Sequence, residues 1–315
     1  MNEATPQLGK AGSRRRFPSD LPFLGVGLGF RQEIKEDLLR YSNRIDFLEV
    51  MTEHYIDMPP HKRAEVQELA EVVPLVLHGV ELSIGTFGSV DQSHLQKMRQ
   101  VADWARAYWV SDHLCLTRVP GLAIGNLTPV PFSEASSANI IANARYAASS
   151  FDCPFLLENI SYYFQPLPRE MSEAEFISRV VEGADCYLLL DLTNVQNNAV
   201  NMNYDPYVFL DSVPLERVVQ IHLAGGYYLS SVLLDTHSHP VPSDVFDLLR
   251  YVAPRMPNLR GILIERDQNF PPFGELLDEL DQVRDVVRNH WGPYHADLAV
   301  QTPKWMVPYA GYTHA

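Results

Sequence analysis

The segment YLLLD, residues 187–191, consists of three consecutive leucines between a tyrosine and an aspartate. A continuous aliphatic run is typical of a strand buried on both faces of a parallel sheet. Five more apolar runs end in a residue that commonly binds metal ions: PLVLH (74–78), YWVSDH (108–113), PFLLEN (154–159), RVVQIH (217–222) and GILIE (261–265). The carboxyl ends of the strands of a parallel barrel meet at one rim, where active sites lie. The runs therefore predict a functional site at such a rim.

The apolar runs belong to a repeating order of strands and helices, which is typical of a parallel sheet covered by helices. The candidate strands lie near residues 24–28, 45–50, 74–78, 107–111, 154–158, 186–191, 217–222 and 260–265. Eight repeats predict a TIM (β/α)8 barrel as a single domain. An open, doubly wound sheet is the alternative. It is disfavoured because such a sheet gathers its functional residues at one switch point rather than after nearly every strand.

Helical patterns separate these strands. They cover residues 32–41, 60–73, 91–107, 133–150, 172–183, 206–212, 243–252 and 273–289. Asp91 is predicted to cap the third helix, and Ser172 with Glu175 to form a capping box on the fifth. Residues 120–132 are predicted to form a long loop over the site.

The two ends of the chain differ from this pattern. Residues 1–20 are basic and are expected to form a disordered tail, residues 21–290 the barrel, and residues 291–315 an aromatic and proline-rich extension. The tail contains Arg14, Arg15 and Arg16, which resemble a twin-arginine export signal. The apolar stretch behind them contains three glycines and no small-residue cleavage site, so a cytoplasmic location is expected.

Composition excludes several classes of function. The formal net charge of −14 disfavours a nucleic-acid partner, since phosphate binding needs clustered lysine and arginine. No apolar run approaches the ~18 residues of a membrane span, so no membrane partner is expected. The three cysteines form no C-x-x-C pair, which disfavours a disulfide framework, a zinc ribbon and a redox couple.

Histidines, carboxylates and amides follow the predicted strands. The candidate metal ligands are His78, His113, Glu158, Asn159, Asp191, Asn194, His222, Asp235, His237 and Glu265. Several carboxylates at one rim would repel one another unless cations lay between them. Imidazole and carboxylate ligands without thiolate suit iron, manganese or zinc. Ten ligands exceed the capacity of one ion, so two or three ions with bridging carboxylates are predicted.

Other polar residues near the strand ends are candidates for substrate binding. They are Glu53, His54, Tyr163, Arg266 and Asp267. Glu49 and Glu53 could also hold metal ligands through hydrogen bonds. Arg266 and Asp267 could bind a substrate carboxylate or pair with each other. The GVGLG segment, residues 25–29, does not fit the dinucleotide pattern G-x-G-x-x-G and indicates a closely packed first strand.

Seven blocks of the sequence resemble a known family. They are HGVELSIG (78–85), VSDHLC (110–115), LLENIS (156–161), LLLDLTN (188–194), QIHLAGG (220–226), LLDTHSHPV (233–241) and LIERD (263–267). In this order they resemble the multinuclear non-heme iron-dependent oxidative enzymes, which modify ribosomally made precursor peptides with iron and dioxygen. The resemblance covers about residues 21–285 and implies a TIM barrel. The chain departs from the family pattern at His54 and Gly226, which leaves the substrate open.

The resemblance also implies a distribution of ligands over Fe(II) and Fe(III) ions. His78, His113 and Glu158 would hold a first iron. Asp191, His222 and Glu265 would hold a second, bridged by Glu158. A third would use Asn159 or Asn194 with Asp235 and His237.

The resemblance further implies that the reaction is oxidation of a cysteine in a precursor peptide, with dioxygen as co-substrate. Excision of the β-carbon from a C-terminal cysteine, as in TglH, is the first expectation. Conversion of cysteine to an oxazolone and thioamide, as in MbnB, is the alternative. A separate partner protein that recognises the leader peptide is expected to form a heterodimer with this chain. A zinc-dependent hydrolase resembling endonuclease IV and a non-catalytic peptide-binding scaffold are the remaining alternatives.

Overall fold

All eight predicted barrel strands form, together with two short hairpins. The computed structural model describes residues 17–119 and 121–288. Its strands are β1 (Gly25–Gly29), β2 (Leu48–Met51), β3 (Leu75–His78), β4 (Val110–His113), β5 (Leu116–Val119), β6 (Leu122–Thr128), β7 (Phe155–Glu158), β8 (Tyr187–Asp191), β9 (Val218–Leu223), β10 (Tyr227–Leu229), β11 (Val232–Leu234) and β12 (Gly261–Ile264).

Eight of these strands pair in parallel, in the order β1-β12-β9-β8-β7-β4-β3-β2, and the sheet closes on itself. Helices follow each of the barrel strands along the chain, and the last of them follows β12. They are α1 (Lys35–Arg40), α2 (Pro60–Val72), α3 (Gln92–Ala105), α4 (Glu134–Ser150), α5 (Glu173–Ala184), α6 (Leu192–Met202), α7 (Pro206–Ser212), α8 (Ser243–Val252) and α9 (Phe273–Arg288). The predicted TIM (β/α)8 fold is confirmed, and the open sheet is excluded by the β1–β12 pairing.

The predicted helix caps are present. The Asp91 side chain accepts hydrogen bonds from the backbone of Ser93 and His94, so it satisfies free donors at the start of α3. Ser172 and Glu175 form a reciprocal capping box at the start of α5. These side chains fix where each helix begins, and with it the length of the preceding rim loop.

Two sequence predictions are corrected. The loop predicted at residues 120–132 contains a strand, since β6 (Leu122–Thr128) pairs antiparallel with β5. The helix α6 has no counterpart among the predicted helices. It begins directly after β8, because Asp191 both ends the strand and caps the helix by accepting a hydrogen bond from the Asn194 backbone. Strand and helix thus meet without an intervening turn sequence.

The barrel interior is filled by side chains opposite glycines. Phe47 and Trp109 are fully buried, and their rings lie 6.1 Å apart in an edge-on arrangement. A Cβ at Gly27 would lie 2.8 Å from the Phe47 ring, and one at Gly261 would lie 2.9 Å from it. The glycines therefore make room for the aromatic rings, and the barrel is a packed core rather than a pore.

The predicted ends of the chain fall mostly outside the described residues. Residues 17–20 of the expected tail are described. Pro18–Asp20 forms a short 3-10 helix, and the Pro18 carbonyl accepts a hydrogen bond from the buried Arg260 side chain. The predicted extension at residues 291–315 lies outside the described part of the chain. Among the helices that the structure describes, none has the length and apolarity to cross a bilayer.

Candidate metal centre

Three neighbouring strands bring the first predicted ligand group together. β3, β4 and β7 are adjacent in the barrel and end at His78, His113 and Glu158. The Oε2 atom of Glu158 lies 3.1 Å from Nε2 of His78 and 3.3 Å from Nε2 of His113. All three side chains are buried. Their closeness places one carboxylate oxygen and two imidazole nitrogens around a common point.

Hydrogen bonds behind the two imidazoles fix which nitrogen faces the centre. Nδ1 of His113 donates to the carbonyl of Gly79 at 3.1 Å. Nδ1 of His78 lies 2.8 Å from the hydroxyl of Ser111, which itself donates to the carbonyl of Leu77. With Nδ1 protonated, each Nε2 keeps its lone pair directed at Glu158. This is the arrangement by which proteins orient histidine ligands for a metal ion.

The second carboxylate oxygen of Glu158 faces another group. Oε1 lies 3.3 Å from Nδ1 of His222, and the same nitrogen lies 3.3 Å from Oε2 of Glu265. The opposite ring nitrogen, Nε2 of His222, donates to Glu49 at 3.0 Å, which leaves Nδ1 free as a ligand atom. Glu158 thus presents its two oxygens to two sets of nitrogens, as a carboxylate that bridges two cations would.

The far side of the centre contains Asp191, Asp235 and His237. Ligand atoms of Asp191, His237 and Glu265 all lie within 4.8 Å of one another. Nε2 of His237 lies 2.8 Å from Oδ1 of Asp235. His237 has a positive φ of 49°, a conformation that non-glycine residues rarely adopt and that concentrates at functional sites.

The two asparagines have different surroundings. Both ends of the Asn159 amide are engaged, since it donates to the carbonyl of Asp191 and accepts from the Asp191 backbone N–H. Asn194 donates to the carbonyl of Asn159, while its Oδ1 is buried and has no hydrogen-bond partner in the described residues. Of the two amides offered as alternatives for the third ion, Asn194 therefore has the free oxygen, and Asn159 holds the strand end in place.

Unsatisfied polar atoms concentrate at this rim. In the described residues, thirteen buried side-chain nitrogens and oxygens have no hydrogen-bond partner. Six of them belong to predicted ligands: Glu158, Asp191, Asn194, His222, Asp235 and His237. Buried polar atoms without partners are costly, and native structures contain few of them. The residues present therefore fit bound cations, which would supply the missing partners.

The charges of the group lead to the same conclusion. Burial raises the pKa of Asp191 well above its usual value, and the neighbouring carboxylates of Glu158 and Asp235 raise it further. Burial lowers the pKa of His78, but the carboxylates of Glu158 and Glu49 outweigh this and raise it to about 9. Without cations, the cluster would therefore hold protons. Metal ions would replace those protons as the neutralising charge.

The predicted substrate residues are dispersed. Tyr163 lies at the rim, about half exposed, and its hydroxyl accepts a hydrogen bond from the Asp235 backbone. Asp267 also lies at the rim, 3.1 Å from His237. His54 is exposed, and Glu53 accepts hydrogen bonds from the backbone of Val80 and Glu81, which anchors the loop after β3.

Arg266 is not brought to the site. Its side chain is buried and donates to Glu279 on α9 at 3.1 Å, on the outer side of the barrel wall. Successive residues at a strand end face opposite sides, so Glu265 and Asp267 face the rim while Arg266 faces outward.

Sequence reasoning missed Arg31, whose guanidinium bonds Asp267 and Glu265. A charged residue behind a glycine-rich strand has no distinctive sequence signal. Gln220 was also missed; it donates to Glu49 from inside the barrel. Its position two residues before His222, on the same face of the strand, was a usable signal.

The structure defines a class of protein: a TIM barrel that gathers buried imidazole and carboxylate groups, which could hold metal ions, at the carboxyl ends of its strands. Within this class, residues 25–288 match the family of "RiPP precursor modification enzyme MbnB/TglH/ChrH". The chain belongs to this family, and the resemblance inferred from the seven sequence blocks is confirmed.

Relatives extend over nearly the whole matched region. The chain is 38% identical over 271 residues to a UPF0276 protein of Caulobacter vibrioides, covering 86% of this chain and 95% of that protein. It is 34% identical over 293 residues to a UPF0276 protein of Pasteurella multocida, with 84% and 95% covered. These names state no activity, so the matches show only that the sequences are related.

Solved structures share the fold at low sequence identity. A xylose isomerase domain protein from Planctomyces limnophilus aligns with a TM-score of 0.54 at 12% identity, covering 85% of this chain and 99% of that one. Endonuclease IV from Thermus thermophilus aligns with a TM-score of 0.51 at 17% identity, with 84% and 98% covered. At such low sequence identities, the likeness shows a common barrel fold and carries no information about the reaction.

Proposed function

We propose that this protein oxidatively modifies a cysteine in a ribosomally synthesised precursor peptide, using two or three irons and dioxygen. Family membership supports a precursor peptide as substrate. The observation that carries the multinuclear centre is Glu158, whose Oε2 faces His78 and His113 while its Oε1 faces His222. Ligands made only of imidazole, carboxylate and amide suit iron as well as manganese and zinc, and family membership favours iron among these.

The ligands divide into three overlapping groups. His78, His113 and Glu158 would hold one iron; Glu158, Asp191, His222 and Glu265 a second; and Asp191, Asp235, His237 and Asn194 a third. Bound iron would lower the pKa of a cysteine thiol and activate dioxygen. The chain's own residues orient the imidazoles, remove the ligands from bulk water and leave the Tyr163 ring exposed at the mouth, where a peptide would enter.

Within this activity, excision of the β-carbon from a C-terminal cysteine is the proposed reaction, and formation of an oxazolone and thioamide is the alternative. Both start from the same thiol held at the same rim. We further propose that a separate protein recognises the leader peptide and forms a heterodimer with this chain.

The test is reconstitution of the metal-free protein with Fe(II) under anaerobic conditions, followed by a cysteine-containing precursor peptide and oxygen. Mass spectrometry of the peptide should show a change that requires both iron and oxygen. Loss of one carbon indicates excision, whereas an oxazolone and thioamide retain every carbon. A peptide mass that stays constant for every cysteine peptide tried, with and without the partner, would contradict the proposal.

Metal analysis separates this function from its rivals. Purified protein that retains iron supports oxidation, whereas protein that retains only zinc supports a hydrolase. The acidic charge of −14 disfavours a DNA substrate for such a hydrolase. A peptide-binding scaffold would bind its peptide unchanged after removal of all metal.

A further inference from the structure

An ion pair at the rim belongs to none of the groups of candidate ligands in the described residues. Arg31 lies two residues after β1, and Asp267 lies three residues after β12. In the barrel Gly25 is opposite Gly261 and Leu28 is opposite Ile264. The same offset of 236 residues relates Arg31 to Asp267. The strand register itself therefore brings the two side chains together.

The Arg31 guanidinium donates to Asp267, to the Phe30 carbonyl and, at 3.4 Å, to Oε1 of the candidate ligand Glu265. Nε donates to Oδ1 of Asp267 at 2.9 Å, Nη2 donates to the same oxygen, and Nη1 donates to the carbonyl of Phe30 at 2.9 Å. A Cβ at Gly29 would lie 3.1 Å from Nη1, so the glycine leaves room for the guanidinium above it. Only 14% of the arginine side chain is exposed. Such an arginine holds its carboxylate partner in one orientation.

The other oxygen of Asp267 faces His237. Oδ2 lies 3.1 Å from Nδ1 of His237, and the backbone N–H of Asp267 donates to the carbonyl of His237 at 2.9 Å. One residue thus binds His237 through both its ring and its backbone. His237 needs such support, since its φ of 49° is strained for a residue with a side chain. Its Nε2 then points at Oδ1 of Asp235, 2.8 Å away.

We propose that Arg31 and Asp267 are positioning residues that fix the tautomer and orientation of His237 as a metal ligand. The inference rests on the proposed function and assigns Asp267 to the histidine rather than to substrate. An Nδ1–H bond to Asp267 leaves the lone pair on Nε2, which faces Asp235. Arg31 neutralises the carboxylate and engages its other oxygen, so Asp267 supports the ligand without becoming one.

The experiment compares Fe(II) binding by wild type and Asp267→Ala under anaerobic conditions. Loss of a carboxylate partner is expected to weaken one iron by about 10- to 100-fold, with the other irons unchanged. Mössbauer spectra of protein loaded with 57Fe should lose or shift one component only. Asp267→Asn keeps an oxygen that can accept from Nδ1–H, and it should recover most of the affinity.

The matched control is Asp211→Ala. Asp211 also accepts from an arginine, Arg255 at 2.7 Å, and is half-exposed, but it lies on α7 away from the ligands. This control should bind iron as wild type does. Thermal unfolding of the metal-free proteins checks the fold. If Asp267→Ala does not fold, Asp267→Asn provides the comparison, with a smaller shift of the same component. Arg31→Lys should shift that component and, because Arg31 also donates to Glu265, the component of the iron that Glu265 would hold, while the iron at His78 and His113 stays unchanged.

Equal iron affinity and equal spectra in wild type and the Asp267 and Arg31 variants would overturn the inference alone. Uniform weakening of every iron would also overturn it, because that result indicates a general structural role. A wild-type protein that binds no iron would instead refute the proposed function and this inference together.

Discussion

Glu158 is the residue at which the ligand groups meet. It is buried among three imidazoles. Burial raises its pKa, but His113, His222 and His78 lower it far more, so the carboxylate stays ionised. None of these three histidines contacts both oxygens of Glu158, because His78 and His113 face Oε2 and His222 faces Oε1. Because this carboxylate remains charged and has an oxygen on each side, its loss would affect the first and the second ion at once.

Glu158→Gln tests this directly. The amide keeps the shape of the side chain but loses the charge and one acceptor, so two irons should be lost or weakened, by more than the roughly 10- to 100-fold expected for a supporting residue. Iron content per chain after gel filtration is the measurement. The control is Glu68→Gln, an exposed carboxylate on α2 that should retain full iron content. Unchanged iron content in the Glu158→Gln variant would show that Glu158 is not shared.

Glu173 is a buried carboxylate outside the candidate ligand groups, and its pKa is raised towards neutrality. Glu173 at the start of α5 accepts a hydrogen bond from the Tyr162 hydroxyl at 2.8 Å, and burial raises its pKa to about 7. The folded state therefore binds this proton more tightly than the unfolded state does. Stability from this residue is complete at low pH and is lost as the pH rises from about 4.5 to about 7.

Glu173→Gln should remove that pH dependence. Because the pKa shift is about 2.5 units, the variant should gain about 3 kcal/mol on wild type between pH 4.5 and pH 8. The free energy of unfolding in urea at both pH values is the measurement. Parallel stability curves for the two proteins would show that the pKa of Glu173 is not raised.

Residue alternation accounts for which of the predicted side chains lie at the rim. Strand-end residues such as His78, Asp191 and Glu265 were predictable because a buried run directly precedes each of them. Arg266 was misplaced because adjacent residues were treated as a pair, although a strand sends them to opposite faces. The sequence could not show whether Asn159 or Asn194 has a free amide oxygen. That depends on which of the two amides bonds to the backbone of Asp191, and in the structure it is Asn159.

At the scale of elements, the loop after β9 contributes Asp235 and His237 and depends on two glycines. A Cβ at Gly226 would lie 1.9 Å from the carbonyl oxygen of Leu234, and one at Gly225 would lie 2.1 Å from that of Pro240. The backbone of this loop therefore crosses itself closely just before the hairpin β10–β11. The sequence placed Gly226 outside the family pattern, and the structure gives a steric reason for a glycine there.

Gly226→Ala should displace the loop. The obstructing atom is backbone, which cannot rotate away, so a destabilisation of about 1–3 kcal/mol is expected together with weaker binding of the iron near His237. Gly274→Ala is the control, because a Cβ at Gly274 meets nothing within 4 Å and helical alanine is preferred to glycine. Urea unfolding and iron titration measure both effects. Equal stability and equal iron affinity of the two variants would show that the loop after β9 accommodates the extra methyl group without displacement.

Helices and strands were predictable wherever their hydrophobic pattern was long and ended at a recognisable turn or capping residue. The eight barrel strands and helices such as α3 satisfied both conditions. The helix α6 did not, because its first residues follow a leucine-rich strand without a turn residue. The β5–β6 hairpin contains the segment LAIGNLT, which does not alternate regularly between apolar and polar residues, so its strand character depends on pairing with its neighbour.

At the scale of the whole molecule, the barrel interior and the rim are joined by hydrogen bonds. The Trp109 indole donates to Gln220, the Gln220 amide donates to Glu49, and Glu49 accepts from His222. All four side chains are buried. The orientation of a rim ligand is thus set in part by an aromatic residue in the interior layer.

Trp109→Phe should reveal this connection. Loss of the indole leaves a cavity and a Gln220 oxygen without its donor, which should cost about 2–4 kcal/mol. Iron binding near His222 should weaken as well. Trp104→Phe, a partly buried tryptophan on α3, should leave iron binding unchanged. Differential scanning calorimetry measures the loss of stability, and iron titration measures the affinity. An unchanged iron affinity in Trp109→Phe would show that Trp109 does not influence the orientation of His222.

This connection limits how the metal centre could be transplanted. A recipient barrel given only the rim loops would lack the tryptophan, glutamine and glutamate that hold His222 from below. Its imidazole would be free to rotate, and the donor atom offered to iron would change with it. A successful graft would need to carry these three interior positions along with the loops, together with the glycines that leave space for the aromatic rings.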